Sequence, residues 1–250
     1  MKGVDISHYQ KGLTIRQIRD AGCDFAIIKV TEGDCLTDSA AFPFYHEAYE
    51  LGFPVGCYCY SHAVTPEQAK REAAFLLKTI NGFPMPCGVF LDAEEPKMLG
   101  LPRGALPDLA GAWCEAVSEA GYVPGVYGSE YNLWAKLRPD ELPEGALVWI
   151  AHYGAEPDVP CDLWQSGDSG KIGGFNGAVD IDEVRSRRFE TMVKQAVQAP
   201  QTAAESRPDP IVIQLQACLR YAGYWPGEID GVRSEAFMKR LHDYAQGEKP

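Results

Sequence analysis

The stretch Gly88-Val89-Phe90-Leu91-Asp92-Ala93-Glu94 is an apolar run that ends in two carboxylic acids. Its apolar residues are typical of a buried strand. Side chains alternate along a strand, so Asp92 and Glu94 project to the same side. Burying two neighbouring acids is costly, and each raises the pKa of the other. The pattern predicts a proton donor beside a second carboxylate, as glycoside hydrolysis requires, although an acidic loop after an ordinary strand is the alternative.

Short apolar runs alternate with helix-like stretches through about the first 185 residues. Such alternation implies parallel strands joined by right-handed helical crossovers. The last three strand candidates lie too close together for full helices between them, so the pattern predicts a closed α/β barrel of five βα units followed by three strands. The candidate strands are 3–7, 25–30, 54–60, 88–92, 123–128, 146–151, 162–165 and 178–181, and the candidate helices are 14–21, 39–51, 66–80 and 106–120.

An open doubly wound sheet is the alternative architecture. It would require a glycine-rich phosphate loop after the first strand, and Asp5-Ile6-Ser7-His8-Tyr9-Gln10 supplies none. Helix boundaries are marked locally by Thr65-Pro66-Glu67, a typical helix start, and by Gly52, which follows a helical run where a left-handed cap is expected.

The composition restricts the function classes. The chain has 250 residues, of which 46% are hydrophobic, with a formal net charge of −12 and a pI of about 4.9. This negative charge argues against nucleic-acid binding. The sequence has no run of eighteen apolar residues, so no membrane span is predicted. The segment Met1-Lys2-Gly3-Val4-Asp5-Ile6 lacks the apolar core of a signal peptide. We therefore expect cytoplasmic synthesis, with holin-type export if the protein acts outside the cell.

Cysteine spacing does not indicate a metal site. The eight cysteines occur singly or as Cys57-x-Cys59, without a CxxC pair, so zinc-ligand spacing is absent. Three histidines, His8, His62 and His152, follow predicted strands, but acids and aromatic residues are more numerous there. We expect neither a metal nor a cofactor.

The character of the sequence changes after Phe189. Residues 198–210 are small, polar and proline-rich, which is typical of a linker. Beyond them, Ile211, Leu215 and Leu219 have helical spacing, and a second helix is predicted at 234–245. The predicted organisation is a barrel at 1–190, a linker at 191–210 and a small α-helical module at 211–250.

Further acids accompany the ends of other predicted strands. In a parallel barrel the functional face is formed by the carboxyl ends of the strands and the loops after them. The first and eighth strands of a closed barrel are neighbours, so we expect Asp5 to lie near Asp180. Each acid alone is more typical of a cap or a solvated side chain, but together they predict one acidic site. Its members are Asp5, Glu32, Asp92, Glu94, Asp180 and Asp182.

Aromatic residues accompany these acids. Flat aromatic faces stack on sugar rings, and tyrosine hydroxyls and glutamine amides make directional hydrogen bonds. Some of these residues are expected to fill the barrel wall, including one of Tyr58 and Tyr60. Lys29 lies inside an apolar strand and needs a partner, for which Glu32 and Asp5 are candidates. The predicted substrate-binding residues are Lys29, Glu32, Tyr58, Tyr60, Tyr127, Trp149, Tyr153, Trp164, Gln165 and Asp182.

Several segments follow one another in a familiar order along residues 1–188. They are Gly3-Val-Asp-Ile-Ser-His-Tyr-Gln10, Phe25-Ala-Ile-Ile-Lys-Val-Thr-Glu-Gly33, Gly88-Val-Phe-Leu-Asp-Ala-Glu94, and Leu163-Trp-Gln165 leading into Gly177-Ala-Val-Asp180. Together they resemble the family 25 glycoside hydrolases, the lysozymes of the Chalaropsis type found in bacteriophage endolysins. A departure is Lys11, where that family commonly has Pro, Gly or Glu, and this position is not catalytic.

The resemblance implies a β-1,4-N-acetylmuramidase that cuts peptidoglycan between N-acetylmuramic acid and N-acetylglucosamine. It also implies a flattened (β/α)5(β)3 TIM-like barrel. Glu94 would be the general acid, while Asp92 and Asp180 would position and stabilise the substrate above Asp5. Asp180 matches the late acid of the family better than Asp182 does. A substrate-assisted route, in which the N-acetyl oxygen attacks the anomeric carbon, is proposed for this family, and direct attack by an enzyme carboxylate is the alternative.

The C-terminal segment is similar to the helical peptidoglycan-binding domain. That domain has a helix with Leu-Gln, then Gly-Tyr and an Asp-Gly turn, which match Leu215-Gln216, Gly223-Tyr224 and Asp230-Gly231. Arg233-Ser234-Glu235 replaces the usual glycine-threonine start of the next helix, and a third helix has no counterpart. Wall binding and oligomerisation are therefore both open for this module.

Two other functions are kept as alternatives. A barrel that has lost activity would bind the cell wall without cleaving it, although the complete set of acids argues against such decay. A chitinase-like hydrolase would share the Asp-x-Glu pair, but those enzymes carry a further Asp where this chain has Phe90. The expected partner is bacterial cell-wall peptidoglycan.

Overall fold

The computed structural model of the chain describes residues 1–80, 83–198, 212, 215–216, 219–220, 222–228, 231–232 and 234–246. The strands are β1 (Lys2–Ile6), β2 (Phe25–Glu32), β3 (Leu36–Thr37), β4 (Val55–Tyr60), β5 (Val89–Asp92), β6 (Pro124–Ser129), β7 (Leu147–Ala151), β8 (Leu163–Gly170) and β9 (Val179–Val184). The helices are α1 (Ile15–Asp20), α2 (Ala41–Leu51), α3 (Pro66–Ile80), α4 (Pro96–Leu99), α5 (Ala105–Glu119), α6 (Arg187–Gln198) and α7 (Glu235–Gln246). Shorter helical turns lie at His8–Gln10, Glu130–Trp134 and Pro139–Glu141.

Eight of the strands form a closed barrel. The strand order is β1-β9-β8-β7-β6-β5-β4-β2, and β1 also pairs with β2, which closes the ring. All pairs from β1–β2 round to β7–β8 are parallel. Helical segments follow β1, β2, β4, β5 and β6, whereas residues 147–184 hold the last three strands with no helix between them. The predicted (β/α)5(β)3 barrel is confirmed.

The last strand of the ring runs against its neighbours. β9 is antiparallel to both β8 and β1. The expectation that Asp180 and Asp182 close a parallel eighth strand is therefore wrong, because they are the second and fourth residues of β9. Reversal of β9 still brings its first half to the barrel end at which the parallel strands finish. Asp180 is directly opposite Asp5 in the register, so the predicted proximity of these two acids is confirmed.

Local sequence sets the helix boundaries. Thr65 stands just before Pro66, the first residue of α3, and its hydroxyl accepts a hydrogen bond from the backbone N–H of Gln68 at 3.3 Å. Gly52 ends α2 with φ at +59°, a left-handed cap conformation that glycine adopts without steric cost. Both boundaries agree with the sequence prediction.

Apolar side chains fill the amino-terminal end of the barrel. Phe25 of β2, Leu147 of β7 and Leu163 of β8 are the first residues of their strands and are fully buried. Phe189 and Val193, one turn apart on α6, join the same cluster, and the rings of Phe25 and Phe189 have centroids 5.3 Å apart. Because α6 closes this end, the polar interior residues face the opposite end, where the parallel strands finish.

Two features of this unit differ from the sequence prediction. The two-residue strand β3, which pairs with the end of β2, was not expected, since two residues carry no periodic signal. Residues 191–198, assigned to the linker, belong instead to α6, so the boundary at 190 is wrong. The rest of the assigned linker, 199–210, lies outside the described residues.

The chain divides into two compact units, Met1–Ile80 with Pro84–Gln198 and Asn81–Phe83 with Ala199–Pro250. In the second unit, residues 212, 215–216 and 219–220 are helical and precede α7. Val212, Leu219, Trp225 and Phe237 form its buried cluster. The buried Gln216 accepts the N–H of Gly231 at 2.9 Å, which ties the Leu-Gln helix to the Asp-Gly turn. The described residues thus include helical residues before and after a non-helical stretch at 222–228, which is consistent with the predicted small helical module.

Candidate active site

Neighbouring parallel strands carry the predicted site residues in one row. In the register, Glu32 of β2 stands beside Tyr60 of β4, Tyr60 beside Asp92 of β5, and Asp92 beside Tyr127 of β6. Trp149 of β7 continues the row. Glu32, Tyr60 and Asp92 lie at or near the last residue of their strands, so these groups meet at the carboxyl end of the barrel, as predicted.

Three aspartates lie at the seam where β9 closes the ring. Asp180 of β9 stands directly opposite Asp5 of β1 in the register, and Asp182 lies two residues further along β9. Burial raises the pKa of Asp5 well above its ordinary value, and the charges of Asp182 and Asp180 raise it further. Burial likewise raises the pKa of Asp180 and of Asp182. The three acids therefore resist full ionisation.

Gln165 connects this seam to the tyrosines. Its Nε2 donates to Asp5 Oδ2 at 2.8 Å, and its Oε1 accepts from the hydroxyls of Tyr127 at 2.9 Å and Tyr153 at 2.8 Å. The residue is 2% exposed, so its amide is enclosed by these partners. The sequence places Gln165 among the substrate-binding residues, but the structure places it beneath the surface, where it orients Asp5 and two tyrosine rings.

Asp92 and Glu94 are the pair that the sequence predicts. Asp92 is buried at the end of β5 and accepts the backbone N–H of Glu94, while its Oδ1 has no hydrogen-bond partner among the described residues. Burial raises the pKa of Asp92, the charge of Glu94 raises it further, and Lys29 opposes the shift. Glu94 is half-buried, and its pKa is raised by burial and by the charge of Asp180. Both acids hold a proton to higher pH than an exposed carboxyl does.

A second network runs from β2 towards the loop that carries Glu94. The buried Lys29 Nζ lies 2.7 Å from Glu32 Oε2, which confirms Glu32 as the lysine's partner. His62 bridges two carboxylates, with Nε2 3.2 Å from Glu32 and Nδ1 3.2 Å from Glu95. The hydrogen bond from Lys29 is the main cause that lowers the pKa of Glu32. Glu32 is therefore a carboxylate held in place from both sides.

Two predicted substrate-binding residues lie inside the barrel instead. Trp149 is 1% exposed and packs in the apolar core, with its Nε1 donating to Asp182 Oδ1 at 2.8 Å. Asp182 has no exposed surface. The expectation that these two side chains contact substrate is therefore wrong, because alternation along a strand gives the direction of a side chain but not its depth. Together they support Asp5 from below.

The other predicted aromatic residues divide between the wall and the surface. Tyr58 packs against Trp149 and serves as the wall member of the Tyr58/Tyr60 pair. Tyr60 lies between Lys29 and the ring of His62. Tyr153 is 49% exposed. The remaining two are largely buried: Tyr127 on Gln165, and Trp164, whose Nε1 donates to a backbone carbonyl at 2.7 Å.

Comparison with known protein families shows to which family the chain is related. Residues 4–175 match the family described as Glycosyl hydrolases family 25. The chain belongs to this family. The autolytic lysozyme of Clostridium acetobutylicum is 29% identical to this family 25 chain over 186 residues, which are 73% of the chain and 55% of that protein. The chain thus spans little more than half the length of that relative.

Two further comparisons agree with the family. The N,O-diacetylmuramidase of Arthroderma benhamiae is 27% identical over 203 residues, covering 72% of this chain and 84% of that protein. The bacterial lysozyme from Streptomyces coelicolor superposes with a TM-score of 0.69 at 22% identity, covering 80% of this chain and 98% of that structure. At this identity the superposition shows the shared barrel fold.

The structure of this family 25 chain adds residues that sequence reasoning did not assign to the site. Besides Glu95 on His62, Glu130 is paired with His152, whose Nε2 lies 2.9 Å from the hydroxyl of Tyr131. The sequence signal that could have indicated these two pairs is a histidine shortly after a strand, His62 after β4 and His152 after β7. The acid partners stand on neighbouring loops, so their pairing follows only from the folded barrel.

No group of three His, Cys, Asp or Glu side chains in the described part of the family 25 chain is arranged to hold a metal ion. None of the described helices combines the length and apolar character needed to cross a membrane. Among the site acids, Glu32 is paired with Lys29 and His62, and Asp5 accepts a hydrogen bond from Gln165.

Proposed function

We propose that this chain is a peptidoglycan hydrolase that cleaves the β-1,4 bond between N-acetylmuramic acid and N-acetylglucosamine. The observation that carries the proposal is the Asp92 and Glu94 pair at the open end of the barrel, where burial raises the pKa of both acids. Membership of family 25 and similarity to an autolytic lysozyme and an N,O-diacetylmuramidase support a cell-wall glycan as the substrate.

Glu94 is proposed as the general acid. Its raised pKa favours the protonated form at pH values where an ordinary glutamate is ionised, and half-burial leaves the carboxyl accessible to a bound sugar. The proton passes to the bridging oxygen as the bond from that oxygen to the anomeric carbon breaks. The substrate's own N-acetyl oxygen forms a bond to the same carbon. Water then displaces it, and the Glu94 carboxylate takes the proton of the water.

Asp92 is suited to orient the N-acetyl group in this scheme. Its buried Oδ1 has no partner among the described residues, and an unpaired buried acceptor costs about 1–3 kcal/mol. An N–H from the substrate's acetamido group would satisfy that acceptor and direct the carbonyl oxygen towards the anomeric carbon. Asp180, opposite Asp5 in the register, adds negative charge near Glu94 and would stabilise the positive charge that develops on the sugar.

The surroundings of the acids are suited to a sugar polymer. Tyr153 is half exposed and its hydroxyl is fixed by Gln165, so its ring is available for stacking without further ordering. Synthesis in the cytoplasm followed by endolysin-like release to the wall stays a prediction, as does wall binding or oligomerisation by residues 211–250.

A matched pair of variants tests the proposal. Glu94→Gln should reduce the clearing of purified Gram-positive cell walls by about 10²–10⁴-fold, the usual contribution of a general acid. Glu115 on α5 forms an exposed ion pair with Lys70 on α3, and Glu115→Gln, which removes the same charge as Glu94→Gln, should leave clearing unchanged. Equal clearing by wild type and Glu94→Gln, or release of reducing ends from chitin but not from peptidoglycan, would contradict the proposal.

A further inference from the structure

A pocket beside the proposed catalytic pair has no part in the chemistry above. Its volume is about 360 Å³, and it is lined by the end of β2, the turn into β3, His62 in the loop after β4, and one face of α3. We propose that this pocket binds the peptide carried by the muramic acid, with a peptide carboxylate at Arg71 and a peptide ammonium group at Asp34. The proposal rests on the peptidoglycan hydrolase function proposed above.

The pocket has a fixed floor and one apolar side. Glu72 of α3 is buried and accepts hydrogen bonds from the Ser61 hydroxyl at 2.5 Å and the His62 backbone N–H at 3.0 Å. These contacts hold the end of β4 against α3. Leu36 is 57% exposed at the rim, which leaves an uncovered apolar surface. A ligand with a short aliphatic side chain would cover it.

The rim of the pocket carries charges of both signs. Arg71 Nε lies 3.5 Å from Asp34 Oδ2, and both side chains are at least half exposed. An exposed pair at this separation contributes little stability, so a ligand can replace it at small cost. A guanidinium has five donors and fits a carboxylate, whereas Asp34 and Glu32 offer acceptors to an ammonium group. Stem peptides of peptidoglycan present both groups, since they contain free carboxylates and a diamino acid.

The pocket lies within reach of the reacting sugar. Glu32, Tyr60 and Asp92 stand side by side on three adjacent strands, so Glu32 is two strand spacings, about 10 Å, from Asp92. An extended peptide spans about 3.3 Å per residue, so three or four residues cover that distance. His62 also joins the two places, because it contacts Glu32 in the pocket and Glu95, the neighbour of Glu94.

The surrounding charge makes Arg71 important for recognition. The chain has a net charge of −12, which repels an anionic peptide. A cation at the rim is therefore needed to hold a peptide carboxylate near the acidic site. The expected specificity is for glycan strands that carry peptides over strands from which an amidase has removed them.

Kinetics on two forms of one glycan test this inference. Soluble uncross-linked glycan chains are assayed with their peptides and after amidase treatment. Arg71→Ala should raise KM about five- to tenfold on the peptide-bearing chains, the size of one typical hydrogen bond, and leave KM unchanged on the peptide-free chains. Arg19→Ala is the control, because it removes the same charge from an exposed pair with Asp20 at 3.4 Å, at the end of α1 that leads into the start of β2. An equal change on both chains, or none on either, would overturn the proposal.

Direct binding separates this proposal from the proposed hydrolysis. A synthetic tetrapeptide with a glutamyl carboxylate, a diamino acid and a free C-terminal carboxylate is titrated into the full chain and followed by NMR. Arg71→Ala should weaken binding about five- to tenfold, and Arg19→Ala should not. Peptide binding with this pattern but no cleavage of either glycan would support the pocket and refute the hydrolase. Cleavage of both glycans without peptide binding would refute the pocket alone.

Discussion

Gln165→Ala tests how the site is held together. Gln165 donates to Asp5 and accepts from Tyr127 and Tyr153, at 2.8–2.9 Å, in a place that is 2% exposed. Each of these hydrogen bonds contributes about 1 kcal/mol, and leaving the buried Tyr127 hydroxyl unpaired costs about 1 kcal/mol more. The variant should therefore lower the free energy of unfolding by about 4 kcal/mol. Tyr153→Phe removes one bond at the surface and should cost about 0.5–1 kcal/mol.

Urea denaturation of the full chain, followed by tryptophan fluorescence, measures these differences. The double variant Gln165→Ala with Tyr153→Phe should be no less stable than Gln165→Ala alone, because the bond that Tyr153 loses is already absent. Equal slopes of the unfolding transitions are needed for the comparison. If Gln165→Ala costs no more than Tyr153→Phe, the amide does not connect Asp5 to the tyrosines in the way described.

Two further changes test the acidic seam and the barrel wall. The pKa of Asp182 is raised by burial, so its contribution to stability is present below about pH 4 and is lost as pH rises through the folded pKa. Asp182→Asn keeps an acceptor for Trp149 and should raise Tm at pH 7 by about 2–4 °C per kcal/mol recovered, with a smaller rise at pH 4. A larger rise in Tm at pH 4 than at pH 7 would contradict this reasoning. In Gly125→Ala the new Cβ would lie 2.3 Å from the ring of buried Phe90, so thermal unfolding should show that stability falls by about 1–3 kcal/mol. Gly111→Ala on α5 has open space around the new Cβ and should increase stability by about 0.5–1 kcal/mol. Equal Tm values for the two variants would refute the packing argument.

Local pattern predicted much of this fold because each signal lies within a few residues. The helix at 66–80 matches α3 at both ends, since Thr65 and Pro66 mark its start and the apolar periodicity continues to its end. The strand before Asp92 was found from its apolar run. Lys29 and Glu32 are three residues apart on β2 and would face opposite sides of a regular strand, but the register shift between Lys29 and Thr31 lets them pair. Closure of the ring then placed Asp5 opposite Asp180.

The antiparallel direction of β9 was not predicted, because the sequence pattern does not show where β8 ends. The predicted strand at 162–165 stops too early, because β8 continues through polar residues and glycines to Gly170. Only residues 171–178 then separate β8 from β9, and a parallel crossover needs about ten or more residues. The correct end of β8 would therefore have predicted an antiparallel return.

Depth was the other quantity that the sequence did not supply. The sequence assigned Trp149, Gln165 and Asp182 to substrate binding, but it does not say how far below the opening of the barrel each one lies. All three are nearly or fully buried and act through Asp5 and its neighbours. Sequence composition favours aromatic and amide groups both as ligands for sugars and as supports, so the two roles separate only in three dimensions.

Closure of the ring by its last strand has a consequence for biosynthesis. Among the barrel strands, β1 with Asp5 is translated first, whereas β9 with Asp180 and Asp182 is translated last. A nascent chain that stops before Val179 lacks β9 and both of these acids. Such a chain cannot close the ring or bring Asp5 together with Asp180 and Asp182.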